Sequence, residues 1–539
     1  MTRADRWFLA LVALAVFLPG IGSRDLWNPD EPRYAVVARE MRESGEWFVP
    51  HLNGRIYAEK PPLQFWAIAA CSYLTGGVGP VAARLPAVAA ATATVLLLAA
   101  LATRLFDRRV AWWAALIFLS AAKILWQGRI GQIDMLLVAL VTAAMYSFVR
   151  GLTEERPGFH LLFFLFAGLA TLAKGPVGLL PPLLSIVVWA LATGNGRVLR
   201  EMRIGRGLLV WAAVVAAWLV PAALHAGGAY FETMVFKQNL GRFADPWHHF
   251  RPWHYYLTVI PADFFPWSFF LPGAIWIGWR RVFGEARRGV TLALAWSLTT
   301  LVFFSLSPAK RTVYVLTMYP ALALLVAASF AEIESGWPRF RRLLTLPAGL
   351  AALTVALATG GGYVVVRHFP ERLGSRLEEL APMGPGLLAA VLALGVGLAA
   401  CLQLGWLAAR RNRPRGLVHA FAFGAAATMA LAAVTVAPRF DAVKSARPLA
   451  AELIERAAPG DPYAIWPRLD ATFLFHVGRP AIELASVDEL YAFAQRRGRV
   501  WLLVEKDDLA KLPAPLPLVE VARDAELVEG YVLMTNPAG

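Results

Sequence analysis

The chain has 539 residues, is 58% hydrophobic and only 17% charged, and carries a net charge of +15. A soluble protein of this size has about 25% charged residues, so the shortage of charge excludes an ordinary water-exposed globule. The positive charge sits in short clusters between apolar runs, such as Arg104, Arg108 and Arg109, or Arg410, Arg411, Arg413 and Arg415. That spacing encodes membrane topology and argues against a nucleic-acid partner. Two cysteines, Cys71 and Cys401, exclude a disulfide framework and a thiolate metal cage.

The N-terminus, Arg3 and Arg6 followed by an apolar run, resembles a signal peptide but continues into Ser23-Arg24-Asp25 without a small-x-small cleavage site. It reads as an uncleaved first transmembrane helix. A span needs about 17–25 apolar residues. By that measure the chain offers about thirteen, at 7–22, 85–103, 110–126, 132–149, 159–173, 176–193, 207–226, 262–279, 289–306, 311–331, 343–366, 384–408 and 416–437. With the N-terminus in the cytoplasm, the seven segments on that side (the N-terminal tail and six short loops) hold twenty-two arginines, as the positive-inside rule requires. An odd number of spans places the C-terminus outside. The expected fold is therefore an α-helical polytopic membrane bundle over residues 1–440.

Two outer segments exceed a simple connector. The first, 22–84, contains a helical pattern from Pro29 to Ser44 and an apolar stretch, Pro62–Thr75, too short to span, which reads as an interfacial or re-entrant helix. The second, 227–263, is rich in His, Trp, Phe and Arg. Beyond residue 440 the composition becomes that of a small soluble α/β domain, 441–539, on the outer side. There the pattern predicts helices at Arg447–Ala457 and Val487–Arg496, and strands at Tyr463–Trp466, Thr472–Phe475, Val500–Val504 and Tyr531–Met534. Neither a P-loop nor a dinucleotide fingerprint occurs, so no nucleotide cofactor is expected.

Charged residues at a membrane edge are costly unless they have work or partners. The densest cluster is Asn28-Pro29-Asp30-Glu31-Pro32-Arg33-Tyr34, directly after the first span. Asp30 reads either as a helix N-cap or as a catalytic carboxylate at the mouth of a membrane cavity. Next comes Tyr57-Ala58-Glu59-Lys60-Pro61-Pro62, where two prolines stiffen the chain. Lys60 reads as a phosphate ligand or as a snorkelling lysine. Asp134, in Arg129-Ile130-Gly131-Gln132-Ile133-Asp134, is a cap, an ion-pair partner of Arg129, or a functional acid. His248, His249 and His254 lie among Trp247 and Trp253, in a pattern of either metal ligands or an interfacial aromatic belt. Lys174, Lys310 and Arg311 read as headgroup anchors.

The stretch Asp25–Trp66, with its Asp-Glu and Glu-Lys-Pro-Pro motifs, resembles the first periplasmic loop of bacterial GT-C class glycosyltransferases. The branch it is most similar to is the lipid A 4-amino-4-deoxy-L-arabinose transferases, relatives of the protein O-mannosyltransferases. Ser307–Pro320 and the plan of about thirteen helices with a small C-terminal domain resemble the same family. The resemblance implies an inverting glycosyltransferase. The donor would be a sugar on undecaprenyl phosphate, and the acceptor lipid A or another outer-face molecule. It implies a catalytic role for Asp30 and Asp134, and substrate-binding roles for Arg33, Tyr34, Lys60, Arg251 and Tyr314, with Glu31 and Tyr57 in the same two motifs. It requires no cofactor, but Glu59 with His248 or His249 would suit a divalent metal. The chemistry itself asks for cations and donors around a phosphate leaving group and for a carboxylate near the attacking nucleophile. A flippase or transporter is the rival class, but no inverted repeat or paired broken helices mark the halves.

Overall fold

The computed structural model describes residues 1–241, 250–281, 287–336, 340–369, 383–384, 386–523 and 530–536. It is a bundle of long apolar helices with a mixed α/β unit packed against one end. Helix α1 (Arg3–Phe17) opens on a capping box, in which Thr2 Oγ1 accepts from the Asp5 amide and Asp5 accepts from the Thr2 amide. Helix α2 (Asp30–Ser44) ends at Gly45, whose φ of +73° suits a residue without Cβ. Helix α3 (Leu63–Thr75) is the short apolar helix expected from the sequence. It is followed by α4 (Pro80–Leu105), α5 (Arg108–Ser120), α6 (Ala122–Gln127), α7 (Ile133–Glu154) and α8 (Pro157–Lys174).

Among the described residues, nine helical segments are long and apolar enough to cross a membrane, so the chain is a multi-pass membrane protein. Other expected runs coincide in part with shorter helices such as α1, α5 and Leu271–Arg281. The runs at 110–126 and 262–279 are not single helices: Ala121 breaks the first into α5 and α6 with an extended backbone, and a turn and a 3-10 segment (Trp267–Phe270) divide the second between helices Tyr255–Asp263 and Leu271–Arg281.

Ion pairs gather one end of the bundle. Arg108 meets Asp5 at 2.6 Å, Arg104 meets Glu154 at 2.6 Å, and Arg109 meets Glu334 at 2.5 Å. The N-terminal segment around Asp5, the segment 104–109, and the helix ends at Glu154 and Glu334 therefore share that end.

The opposite end carries α2, α3, a two-stranded hairpin β1 (His51–Leu52) and β2 (Arg55–Ile56), and the C-terminal unit. That unit is a five-stranded sheet of order β4-β3-β5-β7-β6. Strand β3 (Tyr463–Trp466) runs parallel to β4 (Ile482–Glu483) and β5 (Trp501–Glu505); β7 (Tyr531–Thr535) runs antiparallel to β5 and to β6 (Val519–Arg523). The strand expected at Thr472–Phe475 is instead helix Ala471–Val477. Asp470 caps it through the Phe473 amide at 2.6 Å and Gly478 ends it with φ +78°, so the start and stop signals outweigh a run of apolar residues too short to show a period.

Candidate functional site

Asp30 is the first residue of α2, and Pro29 stands at its N-cap. The Asp30 side chain does not cap the helix. Its Oδ2 accepts from Gln132 Nε2 at 2.9 Å and faces Arg311 Nη2 at 3.3 Å. Asp134 occupies the first turn of α7 and is ion-paired to Lys174 at the end of α8. The suggested pair with Arg129 does not form, since Arg129 donates to the Pro19, Val16 and Met429 carbonyls. Lys174 Nζ lies 4.8 Å from the Tyr314 ring centroid. The Asp30 and Asp134 carboxylates both lie near enough to Arg311 to favour its charge. Two carboxylates, two cations and a tyrosine thus converge from α2, α7, α8 and the segment around Arg311.

Tyr34 packs edge-on to Phe65 at 5.5 Å, inside an apolar cluster with Val37, Ile68 and Ile133. Burial raises its hydroxyl pKa well above the usual value. Tyr57 flanks Phe65 from the other side at 6.0 Å and reaches Glu59 Oε2 at 3.5 Å. Arg33 Nη1 lies 3.7 Å from the same carboxylate oxygen. Lys60 is half-buried, with Nζ at 3.3 Å from the Glu59 carbonyl.

The substrate-ligand reading of Glu31 is corrected by its surroundings. The side chain is buried, with the residue only 2% exposed. It accepts from Arg24 at 2.7 Å, from Arg84 at 2.8 and 3.1 Å, from the Trp27 amide at 3.3 Å and from the Gly131 amide at 2.8 Å. Burial would push this carboxyl up, but Arg84 and Arg24 hold it down at about 2. Glu31 ties the α2 entrance to α4 and to the loop before Asp134. Gly131 permits this closeness: a Cβ there would stand 2.8 Å from the Ala83 carbonyl oxygen.

Arg251 is exposed, with its guanidinium over the Tyr255 ring at 5.8 Å. Its carbonyl accepts from Lys310, a buried lysine whose Nζ also meets the Ser307 carbonyl. Lys310 thus clips the segment at Arg251 to the one at Ser307 rather than standing free as a headgroup anchor. His248 and His249 lie outside the described residues. Among the described residues no group of three His, Cys, Asp or Glu side chains could hold a metal.

Sequence reasoning gave Lys174 and Arg311 only as anchors and passed over Gln132 and Arg84. The available signal was the cost of charge in a bilayer, which demands a partner for every such residue.

The family model described as dolichyl-phosphate-mannose-protein mannosyltransferase matches residues 59–220. An undecaprenyl phosphate-alpha-4-amino-4-deoxy-L-arabinose arabinosyl transferase of Edwardsiella ictaluri is 32% identical over 377 residues, covering 67% of each chain. The protein of the same name from Aeromonas salmonicida is 34% identical over 340 residues, and the chain spans 61% of its length. The crystal structure of ArnT from Cupriavidus metallidurans bound to undecaprenyl phosphate superimposes with a TM-score of 0.83 at 21% identity, covering 100% of this chain and 99% of that one. The two share one fold.

Proposed function

We propose, from the premise that this chain belongs to the undecaprenyl phosphate-alpha-4-amino-4-deoxy-L-arabinose arabinosyl transferase family, that it is an inverting glycosyltransferase. It moves 4-amino-4-deoxy-L-arabinose from undecaprenyl phosphate to lipid A at the outer face of the inner membrane. The observation that carries this reading is the convergence of Asp30 with Gln132 and Arg311 beside Asp134 with Lys174 and Tyr314.

When the anomeric carbon–oxygen bond breaks, the departing phosphate gains negative charge. Lys60, Arg33 and Arg311 supply cations for it, and Tyr57 and Tyr314 supply hydroxyl donors. Asp30 orients the acceptor and balances positive charge on the sugar ring. If the nucleophile is a hydroxyl rather than an anionic lipid A phosphate, Asp30 takes its proton. Asp134 holds Lys174 in place. Glu59 is our proposed ligand for a divalent metal, with His248 or His249 as its partner, and no step above depends on that ion.

We place all thirteen apolar runs across the membrane, with the N-terminus cytoplasmic and the domain from 441 onward periplasmic. The ion-paired end formed by Asp5, Arg104, Arg108 and Arg109 supports this, because it lies opposite the C-terminal unit and carries the arginine-rich loops.

Mass spectrometry of lipid A tests the proposal in cells with the wild-type gene, without it, and with Asp30→Asn. A gain of one aminopentose, lost in the last two strains, is expected. Lipid A that is unchanged in all three removes lipid A as the acceptor.

A further inference from the structure

Helix α2 lies between two partners. Tyr34, Val37, Ala38 and Met41 pack toward α3, while Val36 is fully buried in the core of the C-terminal unit with Leu449, Phe473 and Leu533. The segment leading into α2 is held by the same unit through side chains. Asp25 accepts from Ser445 Oγ at 2.6 Å, Trp27 Nε1 donates to Asp441 at 2.7 Å, and Asn28 Nδ2 donates to Asp470 Oδ2 at 2.6 Å. The last contact lies two residues before Asp30. Asp470 is 5% exposed, and its other oxygen caps helix Ala471–Val477 through the Phe473 amide at 2.6 Å. One buried carboxylate therefore fixes both the start of a helix in the C-terminal unit and the approach to the candidate catalytic acid.

We propose that Asp470 is a positioning residue: through Asn28 it sets the angle at which Asp30 meets Gln132 and Arg311, making the C-terminal unit part of the catalytic apparatus. Asp470 itself touches neither donor nor acceptor. This rests on the glycosyl-transfer reading above. Its physical basis is that a displacement of about 1 Å at a reacting group can cost about a hundredfold in rate, and that a hydrogen bond to a charged acceptor is shorter and stronger than a neutral one.

Reversing the hydrogen bond tests it. Asp470→Asn keeps the helix cap, since Asn caps as well as Asp, but turns an amide donor toward the Asn28 donor. Asn28→Asp sets two carboxylates against each other. The double variant restores one donor and one acceptor with the net charge unchanged. Each single variant is expected to lose about tenfold in kcat, with the KM for the undecaprenyl-linked donor within about twofold, and the double to recover to within about threefold of wild type. Amide exchange of residues 25–34 is expected to rise in the singles and return in the double. Unchanged kcat in the singles, with or without faster exchange, overturns the proposal. So does a double variant no better than the weaker single, which would signal general damage. If wild type itself transfers no sugar, the proposed function fails instead, and the exchange measurement alone decides whether Asp470 holds the α2 entrance.

Discussion

Glu31→Gln removes one charge from the buried knot of Arg24, Glu31 and Arg84 without changing shape. A carboxyl held at about 2 instead of its ordinary 4.5 contributes about 3 kcal/mol of stability at neutral pH, since each pH unit is worth about 1.4 kcal/mol. Because the folded value is depressed, that contribution is complete above about 4.5 and is lost as pH falls toward 2. The glutamine variant also leaves two buried guanidiniums without their counter-charge, and breaking a buried pair costs about 3–5 kcal/mol. We expect purified Glu31→Gln to unfold at a clearly lower temperature than wild type in detergent at pH 7. We also expect its stability to fall less steeply than that of wild type between pH 4.5 and 2, the range in which Glu31 titrates. Circular dichroism melts across that range measure both effects. Equal midpoints at pH 7, or identical pH slopes for the two proteins, would refute the assignment of Glu31 as a structural keystone.

Asp30→Asn should lower transfer by at least about a hundredfold, the range of a lost acid–base group, while expression and membrane insertion remain normal; full turnover would remove Asp30 from the chemistry. Lys60→Ala should raise the KM for the donor lipid by about tenfold, as for one lost charge-assisted phosphate contact of about 1.4 kcal/mol, with the acceptor KM little changed; equal losses for both would refute the phosphate contact. Gly131→Ala should destabilise the protein by about 1–3 kcal/mol, because the new methyl would press on the Ala83 carbonyl oxygen at 2.8 Å. A melt indistinguishable from wild type would show that this approach is not tight. A reporter fused after Gly539 should be active only in the periplasm, and cytoplasmic activity would overturn the odd number of crossings.

The sequence alone determined what depends on local pattern. Hydropathy marked the apolar helices, because a bilayer demands uninterrupted apolar length. Arginine placement marked one end of the bundle, and Pro29 and Pro62 marked the starts of α2 and α3. Asp30, Lys60 and Asp134 stood out because charge at a membrane edge is rare. Partnership was the part the sequence left open. Glu31 and Asp30 are adjacent and chemically alike, yet one is sealed in an arginine knot and the other faces Gln132 and Arg311. Successive residues on a helix point about 100° apart, and only the packing of α4, α7 and the C-terminal unit decides which partners each carboxylate meets. The same holds for Asn28 with Asp470, which lie 442 positions apart, and for Asp134, whose ion pair is Lys174 rather than the nearby Arg129. Pairings between distant segments follow from how helices pack, and no local period in the chain records them.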